Sequence, residues 1–185
     1  MKRLLAPLAL LPLLFLWPAL RHAVEGSMAL HMLVQFPLLL AGGFSAARLT
    51  GAAPLGRLNA YGLLGMTAAL CVAAFWMIPA ALDLSLLSPA VNAAKYASWW
   101  VAGALLGASW AQMRVELAAF FLGNMAWMLA TAGLLFRDAE TRLCVNYLVD
   151  EQIVTGNGLL LIAVALLVLT MRMAAAVSAA PSTSQ

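Results

Sequence analysis

Six long apolar runs, joined by short polar stretches, set the limits on what this chain can fold into. They are Leu4–Leu20, Met28–Ala47, Ala60–Leu82, Val91–Met113, Leu117–Phe136 and Ile153–Thr170. About 20 apolar residues cross a hydrocarbon core of about 30 Å, and the runs are of that order. Hydrophobic residues make up 65% of the chain and charged residues 9%, with a mean hydropathy of +0.96, outside the range of soluble domains. Backbone exposed to lipid must satisfy its own hydrogen bonds, which leaves helices as the economical solution. The expected architecture is an all-α polytopic membrane protein, a bundle of about six transmembrane helices. Residues 1–173 form a single bundle in this reading, and the small, polar Ala174–Gln185 forms a disordered tail.

The first run follows Lys2-Arg3 and resembles a signal peptide, but its exit, Ala19-Leu-Arg-His-Ala23, is not a small-x-small cleavage site. It is therefore read as an uncleaved span. With the N-terminus inside, the inner loops carry Lys2, Arg3, Arg48, Arg57, Arg114 and Arg172 with Glu116, while the outer side carries Arg21, Lys95, Arg137 and Arg142 with six acids. The excess of inner Lys and Arg predicts both termini in the cytoplasm of a bacterial inner (plasma) membrane. Trp17, Trp76, Trp99 and Trp100 fall at outer span ends, as interfacial aromatics do. The net charge of +3 forms no basic stripe, which excludes nucleic acid as a partner and leaves membrane lipids and other integral membrane proteins.

Small and kinking residues predict the packing. Gly103 and Gly107 form a small-xxx-small pair that lets two helix backbones approach closely. Pro37 should kink the second span and Pro79 should disturb the third beyond Trp76-Met77. Cys71 reads as a small core residue. Cys144 lies in the longest polar connection, Arg137–Gln152, whose apolar Leu143–Val149 stretch is expected to cap the bundle or lie on the membrane surface.

The candidate chemistry gathers at the outer ends of the spans. Met28, His31, Met32 and Gln35 sit at i, i+3, i+4 and i+7 and so share one helix face. Thioether and imidazole ligands suit copper(I), and His31, Met28, Met32 and Met77 form the candidate metal site. Gln35, Tyr96, Glu151 and Gln152 are the polar residues expected to orient those ligands or bridge helices around them. A b-type haem is the other ligand that such a site permits. The axial candidates are His22 and His31, and the aromatics at Trp99-Trp100 would line the pocket.

These stretches resemble the CtaG-like, caa3-type cytochrome c oxidase assembly proteins. His31-Met-Leu-Val-Gln-Phe-Pro-Leu-Leu-Leu is similar to that family's His-Met-x-x-His helix start with its leucine run. Phe75-Trp-Met-Ile-Pro79 resembles its Trp-His-x-Pro motif, Tyr96 to Trp110 a helix start with His, then Gly and a Trp-bearing end, and Glu151-Gln-Ile-Val-Thr-Gly156 its Asp-Gln-x-x-Ala-Gly motif. The order and spacing agree from about Ser27 to Leu160. Gln35, Met77 and Tyr96 stand where the family usually has His, and the family usually carries about one more span. The resemblance implies copper handling or scaffolding on the outer membrane face during assembly of a haem–copper terminal oxidase, with an oxidase subunit as partner.

Two other readings stand beside it. One is a metal-free structural subunit of a respiratory or other membrane complex; the other is a haem- or quinone-binding electron-transfer subunit. The chain carries no phosphate-binding glycine loop, no Ser/His/Asp set and no His-Glu-x-x-His, so it is not read as an enzyme.

Overall fold

A computed structural model describes residues 2–51, 56–139 and 141–179. Among them there are eight helices and no strand: α1 (Lys2–Leu10, running on as a 3-10 turn Leu11–Leu16), α2 (Pro18–Glu25), α3 (Met28–Thr50), α4 (Leu63–Trp76), α5 (Pro79–Leu87), α6 (Pro89–Ser109), α7 (Val115–Asp138) and α8 (Val149–Ser178). The protein is an all-α membrane bundle. Four stretches, Met28–Thr50, Asn59–Trp76, Val115–Asp138 and Val149–Ser178, are long and apolar enough to cross a membrane, and the bent pair formed by α1 and α2 would make a fifth. The 21-residue α6 is more polar in its first half, where Asn92, Lys95, Tyr96 and Ser98 lie. It packs between α3 and α4, while α7 and α8 lie along one another, and α1 rests on α3.

The first run does not form one continuous span. Trp17 is extended (φ −75°, ψ 116°), as a residue before proline prefers, and Pro18 starts a new helix. The two segments meet at 87°. That elbow lays α2 across one end of the bundle and turns Glu25 inward, where a loop position was expected. The third run also divides. Ile78 is extended before Pro79, so α4 stops at Trp76 and a separate α5 carries Asp83.

α3 holds a π-turn over His31–Gln35, directly ahead of Pro37. The proline lacks the N–H that would bond one turn back, and its ring crowds the carbonyl there; widening the preceding turn relieves both. Glycines set the closest helix contacts. A Cβ on Gly43 would meet the Trp100 carbonyl, one on Gly103 the Leu40 carbonyl and one on Gly107 the Phe44 carbonyl, so the predicted close approach is the α3–α6 crossing. The α7–α8 crossing uses Gly133 and Gly156 in the same way.

Several expectations change. Cys71 is exposed on the outside of the bundle, and Trp76 and Trp99 are buried, not interfacial. α8 continues through Ser178, so the start of the expected tail is helical; residues 180–185 lie outside the described residues. The loop after α7 caps the bundle, one of the two placements that its sequence leaves open. Asp83 holds it by accepting from the Val145 and Asn146 backbone N–H groups (2.8 and 3.2 Å) and from Asn146 Nδ2 (2.9 Å), which buries Cys144 and Tyr147.

Candidate functional site

The site sits where α2, the start of α3, the first half of α6 and the loop before α8 meet. Its centre is a buried ion pair: Lys95 Nζ donates to Glu25 Oε1 at 2.9 Å and to His31 Nε2 at 2.7 Å. Lys95 and His31 are fully buried and Glu25 nearly so. Taking two charges out of water costs several kcal/mol per ion unless geometry and additional hydrogen bonds offset it. The surroundings supply those bonds. Tyr96 Oη donates to Glu25 Oε1 (3.0 Å), Asn92 Nδ2 donates to Oε2 (3.3 Å), and Arg21 Nε lies 3.9 Å from Oε2. Gln35 Nε2 donates to Tyr96 Oη at 2.8 Å.

The bonding pattern fixes the histidine tautomer. Tyr147 Oη has one proton and donates it to the Glu25 backbone carbonyl at 2.9 Å. Its 2.7 Å contact with His31 Nδ1 is therefore one in which Nδ1–H donates, leaving Nε2 to accept from Lys95. The imidazole is neutral and both of its nitrogens are engaged. Phe36 packs edge-on against the ring, with centroids 5.1 Å apart. Burial, and next the Cys144 thiol beside it, push the Tyr147 phenol above its ordinary range, so it remains a neutral donor. The Cys144 thiol is pushed up to about 12 by burial and then by Asp83. It is a protonated, inert group, not a thiolate ligand.

The structure brings most of the sequence-predicted site residues together. Met28, His31, Met32 and Gln35 all face inward, as their spacing requires. Met77 is half-buried against the same apolar cluster, which includes Met28, Met32, Trp76 and Trp99. Gln152 works from further off: its Oε1 accepts from the Leu143 N–H (2.9 Å) and its Nε2 donates to the Phe136 carbonyl (3.0 Å), which fixes the loop carrying Tyr147. Glu151 is half-buried, and its backbone carbonyl accepts from Thr155 Oγ1 at 2.7 Å within α8, a local helix contact that does not join the network. His22 is exposed and lines a cleft of about 730 Å³ that opens beside Glu25, Arg21 and Tyr96.

Sequence reasoning missed the ion pair and Tyr147. Position in the chain places Glu25 and Lys95 among the outer-side charges, though an acid and a base beside apolar runs in so weakly charged a chain are a signal for pairing. Tyr147 offered no such signal, because a loop residue has no periodicity to betray its direction. His31 has no free nitrogen lone pair, and a positively charged ammonium occupies the ligand position at Nε2; the imidazole does not fit a metal ion or a haem iron. Among the described residues no three His, Cys, Asp or Glu side chains cluster as a metal site. The thioethers of Met28, Met32 and Met77 remain as soft donors.

No protein-family model, no curated protein and no solved structure matches the chain.

Proposed function

We propose that this protein is a membrane-embedded scaffold that acts on the extracytoplasmic face of a bacterial inner membrane during assembly of a haem–copper terminal oxidase. The observation that carries this reading is convergence. The separated stretches that resemble the CtaG-like family, around His31, Trp76-Met77, Tyr96 and Gln152, gather at one end of the bundle. At two positions where that family usually has His, Gln35 and Tyr96 hydrogen-bond to each other. An ion-pair and tyrosine network holds His31 where a ligand would otherwise stand open. The proposed role is to present a rigid, shaped surface to an oxidase subunit, without a metal on His31.

Copper handling is the second reading, and the methionines favour it. Met28 and Met32 are buried in one apolar cluster and the half-buried Met77 packs against it, and thioethers suit copper(I) without the imidazole. The test is affinity purification from native membranes with metal analysis, together with deletion of the gene in its own host. Scaffolding predicts an oxidase subunit in the eluate, impaired oxidase maturation in the deletion strain and copper far below one per chain. About one copper per chain that survives His31→Ala and is lost in Met28→Leu/Met32→Leu would move copper handling to first place. Normal oxidase maturation in the deletion strain would overturn the assembly role.

A further inference from the structure

α7 turns polar groups outward. The helix packs along α8 and touches α4, and a stripe of exposed residues runs down its length. Phe120, Asn124, Trp127, Thr131 and Leu134 form that stripe, separated alternately by four and three residues. All five are exposed. Trp127 stands at the middle of the Val115–Asp138 span and is 77% exposed. Asn124 and Thr131 lie within about 7 Å of its depth, at 1.5 Å of rise per residue.

This is a poor surface to give to lipid. Polar side chains inside a membrane turn toward protein or water. Tryptophan gathers at the membrane interfaces, not at the centre of a span. Local bonds answer only part of the need. Thr131 Oγ1 donates to the Trp127 carbonyl and Asn124 Nδ2 donates to the Phe120 carbonyl, both at 2.9 Å. A carboxamide has two N–H groups and a carbonyl with two lone pairs. Among the described residues, one Asn124 N–H and its Oδ1 therefore have no partner.

Whatever covers the stripe must offer a donor and an acceptor at the depth of Asn124. A second copy does so by construction. Copies inserted with the same topology close around a two-fold axis along the membrane normal, so α7 runs parallel to its counterpart and each residue on the seam meets itself. The asparagine amide is self-complementary there, because each gives its spare N–H to the other's Oδ1. The spacing fits as well. In heptad terms Asn124 and Thr131 take a positions, while Phe120, Trp127 and Leu134 take d positions. A polar Asn at an a position sets register and oligomeric state in parallel helix pairs. We propose that this protein forms a two-fold dimer in the membrane through α7, with Asn124 paired to its counterpart and Trp127 packed into the seam beside it. A helix of another protein would need its own amide at that depth. The dimer goes beyond the oxidase-assembly reading and does not depend on it.

The test uses the full chain, carrying one fluorophore per copy, in phospholipid vesicles over a range of protein-to-lipid ratios. Counting photobleaching steps should show the native protein passing from monomer to dimer as the ratio rises. Asn124→Leu should weaken association about tenfold, and Asn124→Gln, which keeps an amide, should recover most of it. Phe75→Leu, at an exposed position on α4, should leave the equilibrium unchanged. In a Cys71→Ser background, Thr131→Cys should give a disulfide-linked dimer on mild oxidation, and Phe75→Cys should not. Melting curves establish that each variant is folded. Three results would overturn the proposal: a native protein that stays monomeric at every ratio, with lipid alone on the stripe; a dimer indifferent to Asn124→Leu; or Thr131→Cys that links in native membranes only to a different protein.

Discussion

Replacing Glu25 and Lys95 singly and together tests the reasoning about the buried network. Breaking a buried ion pair by removing one partner costs about 3–5 kcal/mol, because the other charge is left uncompensated. The two partners are not equivalent here. Without Lys95, Glu25 keeps the Tyr96 hydroxyl at 3.0 Å and the Asn92 amide at 3.3 Å, with Arg21 at 3.9 Å, so Lys95→Met belongs near about 3 kcal/mol. Among the described residues, Glu25 is the one carboxylate within reach of Lys95. Glu25→Leu leaves a fully buried ammonium with His31 and the Tyr96 ring face, 5.1 Å away, and no counter-charge, and belongs near the upper end, about 5 kcal/mol. The double variant Glu25→Leu/Lys95→Met leaves no fully buried charge unpaired, since Arg21, which also loses Glu25, is partly exposed. It should cost less than either single change, with the residue of the loss, roughly 1–3 kcal/mol, arising from the unpaired His31 Nε2 and the idle Tyr96 and Asn92 donors. The assay is reversible unfolding in mixed micelles, followed by helical content across an SDS titration. The reasoning is refuted if the single losses simply add in the double variant, with a coupling energy within about 0.5 kcal/mol of zero, or if Lys95→Met proves the costlier change.

Two further outcomes follow from the loop and from the helix crossing. The Cys144 thiol is raised from 9.0 to about 12, so the folded protein holds its proton more tightly than the unfolded chain does; its contribution is complete below pH 9 and is lost as pH rises toward about 12. The melting temperature should therefore fall more steeply over that window in the native protein than in Cys144→Ala, and maleimide at pH 7 should leave Cys144 unlabelled until the loop is released by Asp83→Ala. At the α3–α6 crossing, Gly103→Ala places a methyl group against the Leu40 backbone and should cost about 1–3 kcal/mol. Gly123→Ala, whose nearest contact is a Thr170 methyl at 3.6 Å, should change the same thermal-shift measurement little.

What was legible in the sequence was what periodicity and apolar length encode. The inward face of Met28, His31, Met32 and Gln35 follows from 3.6-residue spacing, and even the π-turn leaves all four buried. Gly103 and Gly107 announced a close crossing, though not which helix would cross there. The hidden part depended on direction changes. The elbow at Trp17-Pro18 turns a residue that reads as a loop acid into half of an ion pair, and nothing local to Glu25 reports on Lys95. The neutral, doubly bonded His31 depends on Tyr147, delivered by a loop whose backbone Asp83 and Gln152 hold. Spacing on one helix face reports which residues turn inward, not which groups meet them there. Lys95 and Tyr147, arriving from elsewhere in the chain, engage both nitrogens of that imidazole.

The separations in that network have a consequence for biogenesis. Glu25 waits for a partner 70 residues downstream, and His31 for one 116 residues downstream. During synthesis, α2 enters the membrane interface carrying an acid with nothing yet to neutralise it, so the elbow cannot be locked until α6 has been delivered. The histidine cannot be closed over until the loop before α8 has emerged. A chain that stalls or inserts with one helix missing exposes an unmatched charge to lipid, the kind of lesion that membrane proteases and insertases recognise. The ion pair is thus complete once α6 is in place, and the histidine only once the loop before α8 has joined it.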